Sequence, residues 1–279
     1  MWSVTTATVV ALAGFVCLYS PVASASDIEQ ATKAFQSHDY GVALTEFTEL
    51  AAMNNPEAQF YLGFMYYCGL GIQQNFADAR KWFSISAKNG NALSELYLGL
   101  IYFAGSGVAK DHREALKHLR PAAESGLAEA QYLAGILYER GREVGQNYPE
   151  AAKWYRSAAE QGVGEAQSCL AWLYHTGKGV SKDDAEAVKW YKLAAERGIV
   201  DAQHNLAVMY GTGQGTPQNY VEAHKWASLA GLQGNQDAIK LRDKIVKLMT
   251  RSQVAEAQQL ARGWKSKGPT QFSSFKLLN

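Results

Sequence analysis

Apolar, polar and glycine positions along this chain recur with a step of 36 residues. Tyr66, Tyr102, Tyr138, Tyr174 and Tyr210 are 36 residues apart each time, and the same step links Ala79, Ala115, Ala151, Ala187 and Ala223. It also links Gly69, Gly105, Gly141, Gly177 and Gly213, and again Gly90, Gly126, Gly162, Gly198 and Gly234. Trp82, Trp154, Trp190 and Trp226 keep the step, with His118 as the exception. Self-similarity at a fixed period of roughly 20 to 50 residues marks a tandem array.

Inside one period the pattern predicts two helices. Ala166, Leu170, Leu173 and Tyr174 fall on one helical face, and Gly177-Lys178-Gly179 then stops that helix, because glycine accepts the left-handed conformation of a helix C-terminus. Asp183 followed by Glu186 matches the capping-box pattern of a new helix start. The pair recurs as Asn75/Asp78, Asp111/Glu114, Asn147/Glu150 and Asn219/Glu222. The second helix carries Ala187, Trp190, Tyr191, Ala194 and Ala195 before Gly198 ends it. Its alanines let neighbouring helices approach, and the tryptophan is expected to fill the gap between units.

The predicted fold class is therefore all-α, an α/α solenoid. Five repeats are expected at 57–92, 93–128, 129–164, 165–200 and 201–236. A diverged helix pair at 26–56, with helices over 27–37 and 40–53, precedes them. Two closing helices over 236–249 and 252–265 follow, forming a capping segment bounded at 237–265, and 266–279 reads as a flexible tail with a run of Ser and with Gly268 and Pro269. The third repeat departs from the pattern at Glu143 and Ala134, and the second at Ser94-Glu95 and His118.

Composition narrows the function. The 279 residues are 47% apolar and 19% charged, a packed chain and not a disordered one. Lys plus Arg number 27 against 26 Asp plus Glu. That balance excludes a large nucleic-acid footprint, which needs a basic excess. The apolar run from Thr8 to Tyr19, followed by Ala23-Ser24-Ala25, reads as a cleaved signal peptide over 1–25, although no Lys or Arg precedes it. It is shorter than the roughly 20 apolar residues that span a bilayer. The expected location is periplasmic or secreted, with no stable membrane insertion after cleavage. Cys68 and Cys169, about three repeats apart, are expected to be unbridged.

Candidate chemistry is sparse. The Gly-x-Gly elements follow a helix instead of a strand, and no Gly-Lys-Ser/Thr follows them, so they read as loops and not phosphate cradles. No histidine pair has metal-ligand spacing, and no nucleophile elbow is present. The chain is expected to be no enzyme, with no metal and no cofactor.

The run Ala-Gln-x-x-Leu-Ala/Gly-x-Leu/Met-Tyr-x-x-Gly-x-Gly, followed by Asn/Asp-x-x-Glu-Ala-x-x-Trp-Tyr-x-x-Ala-Ala-x-x-Gly, resembles the Sel-one-like repeat family, relatives of the tetratricopeptide repeats. The resemblance spans about residues 57–236. It implies a superhelix whose concave face is lined by the first helix of each unit and accepts a segment of another protein. On that implication the partner-binding residues are Phe60, Phe64, Tyr67, Leu96, Phe103, Tyr132, Trp172, His175 and His204. The first two units then present an aromatic, apolar groove and the last two a polar one. The column headed by Phe64 is open to a second reading, as core between repeats. The implied role is an exported bacterial adaptor or regulator. Alternatives are a binder of peptidoglycan or another envelope glycan, a secreted virulence factor, or a β-lactam hydrolase. The family members tied to that last activity have paired cysteines, which are absent here.

Overall fold

The computed structural model describes residues 25–141 and 144–268; the predicted signal segment up to residue 24, Glu143, and the tail beyond 268 lie outside the described residues. The described chain is all helical and forms a solenoid of consecutive, tightly packed helix pairs. α1 (Ala25–Gln36) and α2 (Tyr40–Ala52) precede the repeats. The repeats are built from α3 (Pro56–Cys68) and α4 (Phe76–Lys88), α5 (Ala92–Ala104) and α6 (His112–Glu124), α7 (Ala128–Arg140) and α8 (Tyr148–Glu160), α9 (Gly164–Thr176) and α10 (Asp184–Glu196), and α11 (Val200–Thr212) and α12 (Tyr220–Leu232). α13 (Gln236–Val246) and α14 (Arg251–Gly263) follow. Each helix packs on the one before and the one after, until α14, which lies along α12 instead of extending the stack from α13.

The repeated tyrosine and the helix cap turn out to be one device. The side chains of Asn75, Asp111, Asn147, Asp183 and Asn219 each accept a hydrogen bond from the backbone N–H three residues on, satisfying a donor at the helix start. Their own backbone N–H groups donate to the carbonyls of Tyr66, Tyr102, Tyr138, Tyr174 and Tyr210 at 2.8–3.0 Å. This differs from the expected capping box. The return bond is made by the preceding helix's carbonyl, so the glutamates three residues on are released, while Asp78 accepts from the side-chain amide of its own cap, Asn75. Glu114, Glu150, Glu186 and Glu222 instead pair with a lysine one turn later. A reciprocal capping box forms at Thr250 and Gln253. Asn147→Ala should cost about 1 kcal/mol, the usual value of such a cap, read as a lowered denaturation midpoint with an unchanged slope.

The loops explain the Gly-x-Gly elements. Gly105 ends α5 in the left-handed region at φ 78°. A Cβ on Gly107 would lie 2.6 Å from Cβ of Phe76, the first residue of α4. The first glycine turns the chain and the second lets the loop touch the preceding unit.

The space between helices is filled differently from expectation. Trp154 and Trp226 are buried, but Trp82 and Trp190 are only half-buried. The residue after each tryptophan position lies deeper: Phe83, Leu119, Tyr155, Tyr191 and Ala227 are all buried. The physical reason lies on the partner helix. Gly63, Gly99 and Gly135 present bare backbone to Phe83, Leu119 and Tyr155, and a Cβ on Gly135 would stand 2.5 Å from the Tyr155 ring. A buried glutamine ladder links units as well. Gln131 donates to the Ala123 carbonyl of the preceding unit and accepts from Gln161 of its own, at 3.1 and 2.8 Å. Gln203 repeats this with Ala195 and Gln233.

Candidate partner-binding face

Each first helix of a repeat carries one stripe, spaced three and four residues, that its neighbours cover only in part. On α9 the stripe is Glu165, Ser168, Cys169, Trp172 and His175, all half-buried between otherwise buried positions. It continues as Tyr132, Ile136 and Glu139 on α7, and as His204, Asn205 and Val208 on α11. Tyr67 and Phe103 sit at the same phase on α3 and α5, also half-buried.

Three of the residues expected in the groove are not on this surface. Phe60 and Phe64 are each 1% exposed and Leu96 is 0% exposed, so none offers area to a partner. Phe60 and Phe64 belong to a ring cluster that includes Phe35, Tyr61, Phe83 and Tyr97, with centroids 5.2–6.2 Å apart. The aromatics that suggested a groove are instead the packing between α1–α2 and the first two repeats. For Phe64 itself the core reading holds, while Trp172 of the same column stays only half-buried. Tyr67 is drawn partly into the cluster, its ring 5.4 Å from Phe76 and 5.6 Å from Tyr97. Phe103 rests against His112 at 5.8 Å. The apolar end is thus largely closed, and the open stripe lies in repeats 3 to 5.

That open stripe is held in place by polar contacts. Tyr155, buried beneath it, donates its hydroxyl to Glu139 at 2.5 Å, and burial followed by the Cys169, Glu139 and Tyr132 neighbours pushes its ionisation well above the ordinary tyrosine range. Gln146 donates to the Glu139 carbonyl and fixes the end of α7. The Lys178 ammonium, from the loop Gly177-Lys178-Gly179, stands 4.6 Å from the Trp172 ring centre and 5.1 Å from that of Tyr148. His175 Nδ1 lies 2.6 Å from Asp184 Oδ1, and Lys182 reaches the other carboxylate oxygen at 3.6 Å. Tyr132 lies 6.1 Å from Tyr155. His204 keeps a buried Nδ1 that has no hydrogen-bond partner.

Sequence reasoning missed Tyr148, Tyr155, Lys178 and Asp184. Glu139 was the available signal: a carboxylate replacing Tyr67 and Phe103 in the column needs a donor beneath it. Cys68 and Cys169 are free thiols. Burial pushes Cys169 up to about 12 and Cys68 to about 11. The thiolate is the reactive form, so at pH 8 carbamidomethylation of Cys169 in the native protein should run at least about 100-fold slower than in the unfolded chain, as read by peptide mass spectrometry. Among the described residues no three His, Cys, Asp or Glu side chains come together as a metal site, and no helix is long and apolar enough to cross a membrane.

The Sel1 repeat profile matches residues 56–91, 92–127, 128–163, 164–199 and 200–235 in unbroken succession. The chain belongs to the Sel1 repeat family. Among solved structures it is similar to a Sel1 repeat protein from Oxalobacter formigenes, 34% identical over 85% of this chain and 96% of that one, with a TM-score of 0.67. It is also similar to a protective antigen of uropathogenic Escherichia coli strains that displays this repeat fold. There the identity is 27% over 84% of this chain, the TM-score is 0.58, and the chain spans only 59% of the antigen's length. No curated protein matches the chain significantly. The match boundaries agree with the helix pairs, each unit running from the start of its first helix to the turn after its second.

Proposed function

We propose that this Sel1 repeat protein is a non-enzymatic adaptor that binds a segment of another protein on the stripe of α7, α9 and α11. Sel1 repeat proteins act as protein-interaction scaffolds, and the half-buried stripe on the first helices supports the same role here. The observation that carries the reading is Trp172, a large ring left half-buried at a column position whose counterpart Phe64 is fully buried. Aromatic anchors flanked by fixed polar groups are what polypeptide recognition uses: the ring supplies area, and Glu139, His175 and Lys178 set register and orientation. Tyr132 and His204 extend the surface by one unit on either side. Placement in the bacterial envelope, periplasmic or secreted, rests on the apolar run Thr8–Tyr19 and the small-residue triplet that follows it.

The test is affinity capture of envelope extract by the full chain, with Trp172→Ala and Lys189→Ala run in parallel after circular dichroism confirms their helicity. Loss of a central aromatic anchor costs about 2 kcal/mol, or roughly thirtyfold in affinity. One protein retained by the parent and by Lys189→Ala, and depleted by Trp172→Ala, supports the reading. Equal retention by all three contradicts it, and capture of glycan in place of protein moves the ligand class.

A further inference from the structure

The second helices of repeats 4 and 5 occupy equivalent positions but differ in what covers them. α14 lies along α12, and there Trp226 and Leu229 are only 2% and 5% exposed. The residues one repeat earlier are Trp190 and Leu193 on α10. Trp190 is half-buried and Leu193 is 42% exposed. Among the described residues α10 packs on α9 and α11 and has no counterpart of α14.

After α14 the chain crosses from one of these helices to the other. Trp264 sets its ring edge-on to Trp226 at 6.2 Å. Ser266 then donates its hydroxyl to the Arg197 carbonyl at 2.9 Å. The Lys267 backbone N–H donates to the Glu196 carbonyl at 2.9 Å, and its ammonium reaches the Glu196 carboxylate at 2.6 Å. These carbonyls sit at the C-terminus of α10, where a cation is favoured by the helix dipole. Residues 266 and 267, expected in a flexible tail, are anchored by these bonds. Gly268 is thereby delivered to the last turn of the helix whose outer side carries Leu193 and Trp190.

We propose that residues 269–279 of this chain dock along α10, with Phe272 on Leu193 and Trp190, as α14 and Trp264 cover the same positions on α12. The segment has the composition for it, with Phe272, Phe275, Leu277 and Leu278 among its 11 residues. It also has the reach. Four residues from Gly268 to Phe272 span up to about 13 Å when extended. Leu193 and Trp190 precede Glu196 by three and six residues, only about 4.5 and 9 Å along the helix. This surface is separate from the stripe on α7, α9 and α11 and stands or falls independently of it.

Amide hydrogen exchange on the full chain, followed by mass spectrometry, tests the docking. Residues 270–278 should exchange at least about tenfold more slowly than in the free peptide of the same sequence, as expected of a locally docked segment. That protection should vanish in Leu193→Asp and in Phe272→Asp, and should be the same at every protein concentration. Phe272→Asp alters no described residue, so it remains informative if Leu193→Asp perturbs the fold. Free-peptide rates in the parent would overturn the proposal, as would protection that survives both substitutions. Protection that grows with protein concentration would also overturn it, because the occupant would then be a second copy.

Discussion

Tyr155→Ala is expected to destabilise the protein by about 4 kcal/mol, in the range of large-to-small changes at a closed core position. Two losses add. The ring is fully buried, and Gly135 offers only backbone beneath it, so no side chain can collapse into the space from that helix. The hydroxyl also holds Glu139, and its removal leaves a half-buried carboxylate without that donor. Tyr155→Phe separates the two, keeping the ring and costing about 1–2 kcal/mol for the lost charge-assisted bond. Chemical denaturation of the three proteins, followed by circular dichroism, reads both differences. A Tyr155→Ala protein as stable as the parent would mean that the helix pairs of repeats 3 and 4 pack in another register.

Gly179→Ala is expected to cost about 3 kcal/mol, far more than adding one methyl group to a surface loop. Its backbone is left-handed at φ 72°, which costs an L-residue about 1–2 kcal/mol. The added Cβ would also run into the Tyr148 carbonyl and the Pro149 nitrogen at the start of α8, and backbone cannot rotate aside. Gly177→Ala, at φ 70° and with Cβ of Lys182 as its nearest neighbour, carries the first cost and little of the second. A calorimetric melting series in which Gly179→Ala falls well below Gly177→Ala establishes the inter-repeat contact. Equal melting temperatures would reduce both glycines to simple turn formers.

The architecture was legible because an array repeats its own evidence. A single Tyr or Gly carries little information, whereas the same residue at the same phase in five units fixes the helix ends. What the repeat could not show was which of two adjacent ring positions points inward. Trp154 and Tyr155 are neighbours in sequence, and the glycine that admits Tyr155 lies on the preceding helix, 20 residues away. The N-terminal end of the groove departs from expectation for a related reason. Whether Phe60 and Phe64 face a partner or the core depends on α1 and α2, which follow the repeat only loosely. In repeats 4 and 5 this column loses bulk, with Ser168 and His204 where Phe60, Leu96 and Tyr132 stand. The following units cover them only in part, and the surface opens there.

The claim at the centre of this account is that partners are met on the stripe of α7, α9 and α11. A photo-crosslinking residue placed at position 172, and in a separate protein at position 153 on the exposed side of α8, tests it in living cells. The account predicts a discrete covalent adduct from position 172, lost when Tyr132 is also replaced by Ala, and none from position 153. An adduct from position 153 with none from position 172 would contradict it and move recognition to the second helices.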